Sequence, residues 1–99
     1  MDDNTISIDK DLEDLIPGYL ENRRRDIASI EEALRKNDFE TIRILGHSMK
    51  GSGGGYGFAA ITEIGKRIEE AAKKMEKEEI GRQIAALSEY ITSINIVYE

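Results

Sequence analysis

Glu79-Ile80-Gly81-Arg82-Gln83-Ile84-Ala85-Ala86-Leu87-Ser88-Glu89-Tyr90-Ile91-Thr92-Ser93-Ile94-Asn95-Ile96-Val97-Tyr98 carries its large apolar side chains at Ile80, Ile84, Leu87, Ile91, Ile94 and Tyr98, at spacings of 4, 3, 4, 3 and 4. That alternation follows the turn of an α-helix and predicts one amphipathic helix from about Glu79 to Tyr98. A helix with a single apolar stripe cannot bury it alone, so the rest of the chain must supply partners. The β-branched run at its end, Ile94 to Val97, is the one place where a strand competes.

Three more such stripes precede it. Pro17 suits the first turn of a helix, and the residues after it place Leu20, Ile27, Ile30 and Leu34 on one side, with Tyr19 beside them. Asn37 reads as the stop and Asp38 as the cap of the next helix. This second helix runs from about Phe39 to Tyr56 with Ile42, Leu45, Met49, Ser52 or Gly53, and Tyr56 inward. Gly57 is suited to a left-handed stop. A third, from about Phe58 to Met75, offers Ile61, Ile64 or Gly65, Ile68, Ala72 and Met75. Four one-sided helices with short links predict an all-α fold, an antiparallel four-helix bundle with a short helical extension over Lys10–Ile16. The bundle is expected to occupy residues 10–99, with residues 1–9 a flexible N-terminal segment.

Composition limits what this bundle does. Twenty acidic residues against 14 basic give a net charge of -6, which argues against general nucleic-acid affinity. With no cysteine there is no disulfide, thiolate metal site or cysteine nucleophile. No apolar run approaches the roughly 20 residues of a membrane span, and the acidic start is no signal peptide. A cytoplasmic, monomeric protein is the expectation. Gly55-Tyr56-Gly57-Phe58-Ala59-Ala60 mimics a dinucleotide fingerprint, but a helix precedes it where a strand is required. The Arg23-Arg24-Arg25 run reads as a charged helix face.

The second helix carries the one histidine, within Gly46-His47-Ser48-Met49-Lys50-Gly51-Ser52. Turning about 100° per residue, His47 falls about 170° from the middle of its helix's apolar stripe, on the outer face. Arg43, Lys50, Gly51 and Gly54 extend that face as one ribbon. A neutral imidazole has a lone pair on one ring nitrogen that can attack phosphorus. Lys50, one turn away, can steady phosphoryl oxygens. Gly51 leaves the surface beside the ring bare, and Gly54 continues that clearance. Gly53 faces the core, where close helix packing explains it. Interior glycines weaken a helix by roughly 1 kcal/mol each relative to alanine, so something must offset them.

His47-Ser48-Met49-Lys50-Gly51-Ser52, followed by Gly54, Gly57, Ile61, Ile64 and Gly65, resembles the histidine-containing phosphotransfer (HPt) domain family. The resemblance extends less specifically from about Leu12 to the end of the chain. It implies a phosphorelay intermediate that exchanges a phosphoryl group with aspartates of response-regulator receiver domains, including that of a hybrid histidine kinase. It implies His47 as phosphoacceptor, Lys50 as electrostatic assistant, Gly51 as permitting receiver docking and Gly54 as supporting that surface; Arg43, on the same ribbon, is expected to join the docking face. It further implies no cofactor or ATP site of the chain's own, with Mg²⁺ on the receiver. The alternative is a helical adaptor or inhibitor that binds a receiver or kinase without carrying phosphate.

Overall fold

Asn37 adopts a left-handed backbone, φ 56°, and ends α1 (Ile16–Arg35). The Asp38 side chain then accepts hydrogen bonds from the Thr41 backbone N–H at 3.1 Å and its hydroxyl at 2.6 Å, starting α2 (Phe39–Gly53). This three-residue reversal sets α1 and α2 antiparallel. Met75, φ 57°, performs the second such reversal, between α3 (Ala59–Lys73) and α4 (Lys77–Ser93). Met75 is thereby turned out of the α3 stripe and is 68% exposed. The computed structural model describes residues 4–99. Its four helices pack as an all-α four-helix bundle with a short N-terminal extension, whose single 3₁₀ turn covers Lys10–Leu12. None of the described helices is long and apolar enough to cross a membrane.

The predicted stripes meet in one core. Ile30, Ile42, Met49, Ile61, Ile68, Ile80 and Leu87 are wholly buried, and Phe58 joins them from the link before α3. Each such side chain gains roughly 1.5–3 kcal/mol of transfer free energy against an exposed state.

Both ends depart from the sequence expectation. The fourth helix stops at Ser93, where Ile94 turns extended, and Asn95–Tyr98 forms strand β2. It pairs in parallel with strand β1 (Thr5–Ile8), part of the segment expected to be loose, in the register Ile6↔Ile96 and Ile8↔Tyr98. The physical reason is alternation. Thr5-Ile6-Ser7-Ile8 and Asn95-Ile96-Val97-Tyr98 each place alternate residues on one face, and Ile6, Ile8, Ile96 and Tyr98 all pack against the core. Ile94 and Tyr98 satisfied a helical spacing by coincidence, while the β-branched composition favoured a strand. Residues 1–3 of the expected loose segment lie outside the described residues.

The closest helix pair is α2 with α3, and glycines make it possible. A Cβ added to Gly46 would stand 2.7 Å from the Glu69 nitrogen and 2.9 Å from the Gly65 oxygen. One added to Gly53 would meet the Thr62 nitrogen at 2.5 Å. The two backbones therefore touch directly along one seam.

Candidate functional site

His47 and Lys50 stand one turn apart on α2, and the seam brings a carboxylate of α3 to both. The Glu69 side chain is only 7% exposed, whereas that of His47 is 65% exposed. Oε2 of Glu69 lies 3.0 Å from His47 Nδ1, and Oε1 lies 2.8 Å from Lys50 Nζ. Lys73, one turn along α3, places its ammonium 3.9 Å from Oε2. The charge on Glu69 is thus countered from two helices, which a largely buried carboxylate requires. The hydrogen bond from Lys50 holds the Glu69 carboxyl below the ordinary glutamate range; desolvation opposes this, and the hydrogen bond from His47 supports it.

An ionised carboxylate only accepts hydrogen bonds, so Nδ1 of His47 must carry the proton and donate. That tautomer leaves the unprotonated lone pair on Nε2, the opposite ring nitrogen. Glu69 therefore fixes both the orientation of the ring and which nitrogen keeps a free lone pair.

This assignment has a pH signature. Because the folded-state pKa of Glu69 is depressed, its contribution to stability is present above the ordinary glutamate value of 4.5 and is lost as pH falls through the lower folded value. Glu69→Gln is expected to be less stable than wild type at pH 7, with the gap closing on acidification. Urea unfolding of both proteins at pH 7 and about pH 3 checks this, and a pH-independent gap would contradict the ion cluster.

The other residues singled out from sequence occupy varied settings. Gly51 is exposed, and a Cβ there would meet nothing within 4 Å. Gly54 is exposed too, and its N–H donates to Thr62 Oγ1 at 2.7 Å, while that hydroxyl donates to the Lys50 carbonyl at 3.1 Å. Arg43 is bound by Glu40 through Nε at 3.0 Å and a terminal nitrogen at 2.6 Å, so its charge is already partnered. The α-helix ends at Gly53 rather than continuing to Tyr56, and a 3₁₀ turn over Gly54–Tyr56 follows. Gly57, φ 96°, closes it in the left-handed region. This end is secured by Tyr19 of α1, whose ring stacks on Tyr56 at 4.2 Å between centroids. The Tyr19 hydroxyl lies 2.8 Å from Ser52 Oγ, and Ser52 donates weakly to the Met49 carbonyl at 3.5 Å.

Glu69 is the residue of this candidate site that the sequence reading missed. Its signal was present: Gly65, Ile68, Glu69 and Ala72 share the inward arc of α3, so a carboxylate stands within an apolar stripe. Gly46 was missed as well, because a glycine beside an outward histidine gives no sign of which neighbour it clears.

Among the described residues no group of three or more His, Cys, Asp or Glu side chains could hold a metal ion. The Hpt domain model matches residues 14–95, which is most of the chain. Comparison with curated proteins and with solved structures gave no match. The four-helix bundle and the match over most of its length lead to one conclusion: the chain belongs to the Hpt, or histidine-containing phosphotransfer, domain family and is a phosphocarrier of two-component signalling.

Proposed function

We propose that His47 is the phosphoacceptor and that Nε2 is the atom that carries the phosphoryl group. The observation that supports this most directly is the Glu69 contact at Nδ1, which leaves Nε2 as the nucleophile on a ring that is largely exposed. In the forward step the Nε2 lone pair attacks the phosphorus of a receiver's aspartyl phosphate. The N–P bond forms as the P–O bond to the aspartate breaks, and the carboxylate leaves with that electron pair. The phosphorylated ring keeps its Nδ1 proton and carries positive charge, which Glu69 stabilises. In the reverse step a receiver carboxylate attacks phosphorus and the pair returns to Nε2.

Lys50 is the electrostatic assistant. Its ammonium is partly exposed and can turn from Glu69 Oε1 toward the equatorial oxygens, where charge accumulates in transfer. Mg²⁺ belongs to the receiver, which supplies the rest of that stabilisation. Receiver domains are the partners, that of a hybrid histidine kinase among them, and the carrier works as a cytoplasmic monomer. A non-phosphorylated adaptor would need a docking face but not a carboxylate that selects the tautomer of an exposed histidine, so the carrier reading accounts for more of the site.

The test is transfer from a panel of radiolabelled, Mg²⁺-loaded receiver domains. Acid-labile, base-stable label on the wild-type chain supports a phosphohistidine carrier. No uptake from a broad panel of demonstrably phosphorylated receivers favours the adaptor.

Docking is tested at Gly51. Leucine there meets open space, so Gly51→Leu should fold at least as well as wild type, helped by up to roughly 0.8 kcal/mol of helix propensity. It should nevertheless weaken receiver binding by about tenfold or more, because the new side chain stands where the partner approaches. An NMR titration reads the affinity, and an unchanged value would place the docking surface elsewhere.

A further inference from the structure

Ile44 is a large apolar residue that the fold leaves 53% exposed, on α2 three residues before His47. It also lies seven residues before Gly51, which puts all three on the outer side of the helix. Beyond it along the same flank come Ser48 and Gly51, and a Cβ at Gly51 would meet nothing within 4 Å. The flank is thus one bulky apolar side chain followed by nearly bare backbone.

We propose that Ile44 is the apolar anchor of receiver docking and selects receivers that present an apolar side chain beside the aspartyl phosphate. The inference rests on His47 being the phosphoacceptor and says what recognises the partner there. The geometry of transfer favours it. Nε2 must reach bonding distance of a phosphorus held on the receiver, and residues one turn apart on a helix are separated by only about 5–6 Å at Cβ. A receiver seated on His47 therefore covers Ile44. Its neighbours contribute little competing recognition. Arg43 is held by Glu40, and Gly51 has no side chain, so the partner's backbone can lie close while Ile44 fills a recess. Among the described residues, the other exposed large apolar side chains, Leu15, Met75 and Val97, lie outside α2.

The experiment uses the full chain as wild type, Ile44→Ser and Ile44→Leu. The probe is the receiver domain, among the transfer panel, that shifts the chain's amide resonances at the lowest concentration. Ile44→Ser is expected to raise the dissociation constant and the half-saturating receiver concentration for transfer about tenfold, the weight of burying half an isoleucine. The maximal transfer rate should stay at the wild-type value, and Ile44→Leu should restore most of the affinity. Unchanged binding by Ile44→Ser, with label still reaching His47, overturns the anchor while leaving the carrier reading intact. A lower maximal rate at unchanged half-saturation also overturns it. Loss of binding in Ile44→Ser from a wild-type chain that binds but accepts no label supports the anchor and overturns the carrier reading instead.

Discussion

His47→Gln is expected to take up no label above background from any phosphorylated receiver, and to fold as the wild type does. The chemical half of this result follows from the side chain. A glutamine amide has no basic ring nitrogen, so the bond to phosphorus cannot form and no second histidine exists in the chain to substitute. The structural half follows from exposure. The His47 side chain is 65% exposed, and the hydrogen bond to Glu69 ties it to the buried side of the seam. A glutamine amide is also a hydrogen-bond donor and can serve the same carboxylate. Surface replacements of this kind usually change stability by no more than about 0.5 kcal/mol, or roughly 4 °C in melting temperature for a domain of this size. Thermal unfolding and the label assay on the same preparation separate the two halves. Acid-labile label persisting on the variant would mean that another group accepts the phosphoryl, whereas loss of the fold would leave the assay unable to assign the site and would contradict the exposure of His47.

The bundle was legible because helical stripes and caps are local. Asn37, Asp38 and Gly57 announce their roles through backbone and hydrogen-bond chemistry that needs no distant partner. The terminal strands were less so. Thr5–Ile8 and Asn95–Tyr98 are four residues each and owe their existence to one another across nearly the whole chain, and no window along the sequence contains both. The site divides along the same line. His47, Lys50 and Gly51 belong to one helix, where periodicity alone places them on one side. Glu69 belongs to another helix, and its meeting with His47 depends on the distance between α2 and α3. That distance is set by glycines whose meaning appears only when the two backbones are seen together.

That dependence makes Gly65→Ala the sharpest test of the fold. In an exposed helix interior the change stabilises by roughly 1 kcal/mol. At Gly65 the added Cβ would stand 2.5 Å from the Lys50 nitrogen, 2.7 Å from Met49 Cβ and 2.8 Å from the Gly46 oxygen. None of these is the yielding end of a flexible side chain, so the helices must move apart and open the packing around Met49 and Ile68. Overpacking of this kind costs about 1–3 kcal/mol, and the melting temperature should fall by roughly 5 °C or more. The α4 glycine Gly81 supplies the opposite case: a Cβ there meets nothing within 4 Å, and Gly81→Ala should raise stability by up to about 1 kcal/mol. The same chemical change is therefore expected to have opposite signs on two helices of one domain. Folded Gly65→Ala should also transfer phosphate more slowly, because separating α2 from α3 draws Glu69 away from His47 and Lys50. If it instead melts higher, as Gly81→Ala should, the seam has slack, and the close approach of the two backbones cannot be what seats the carboxylate against the histidine.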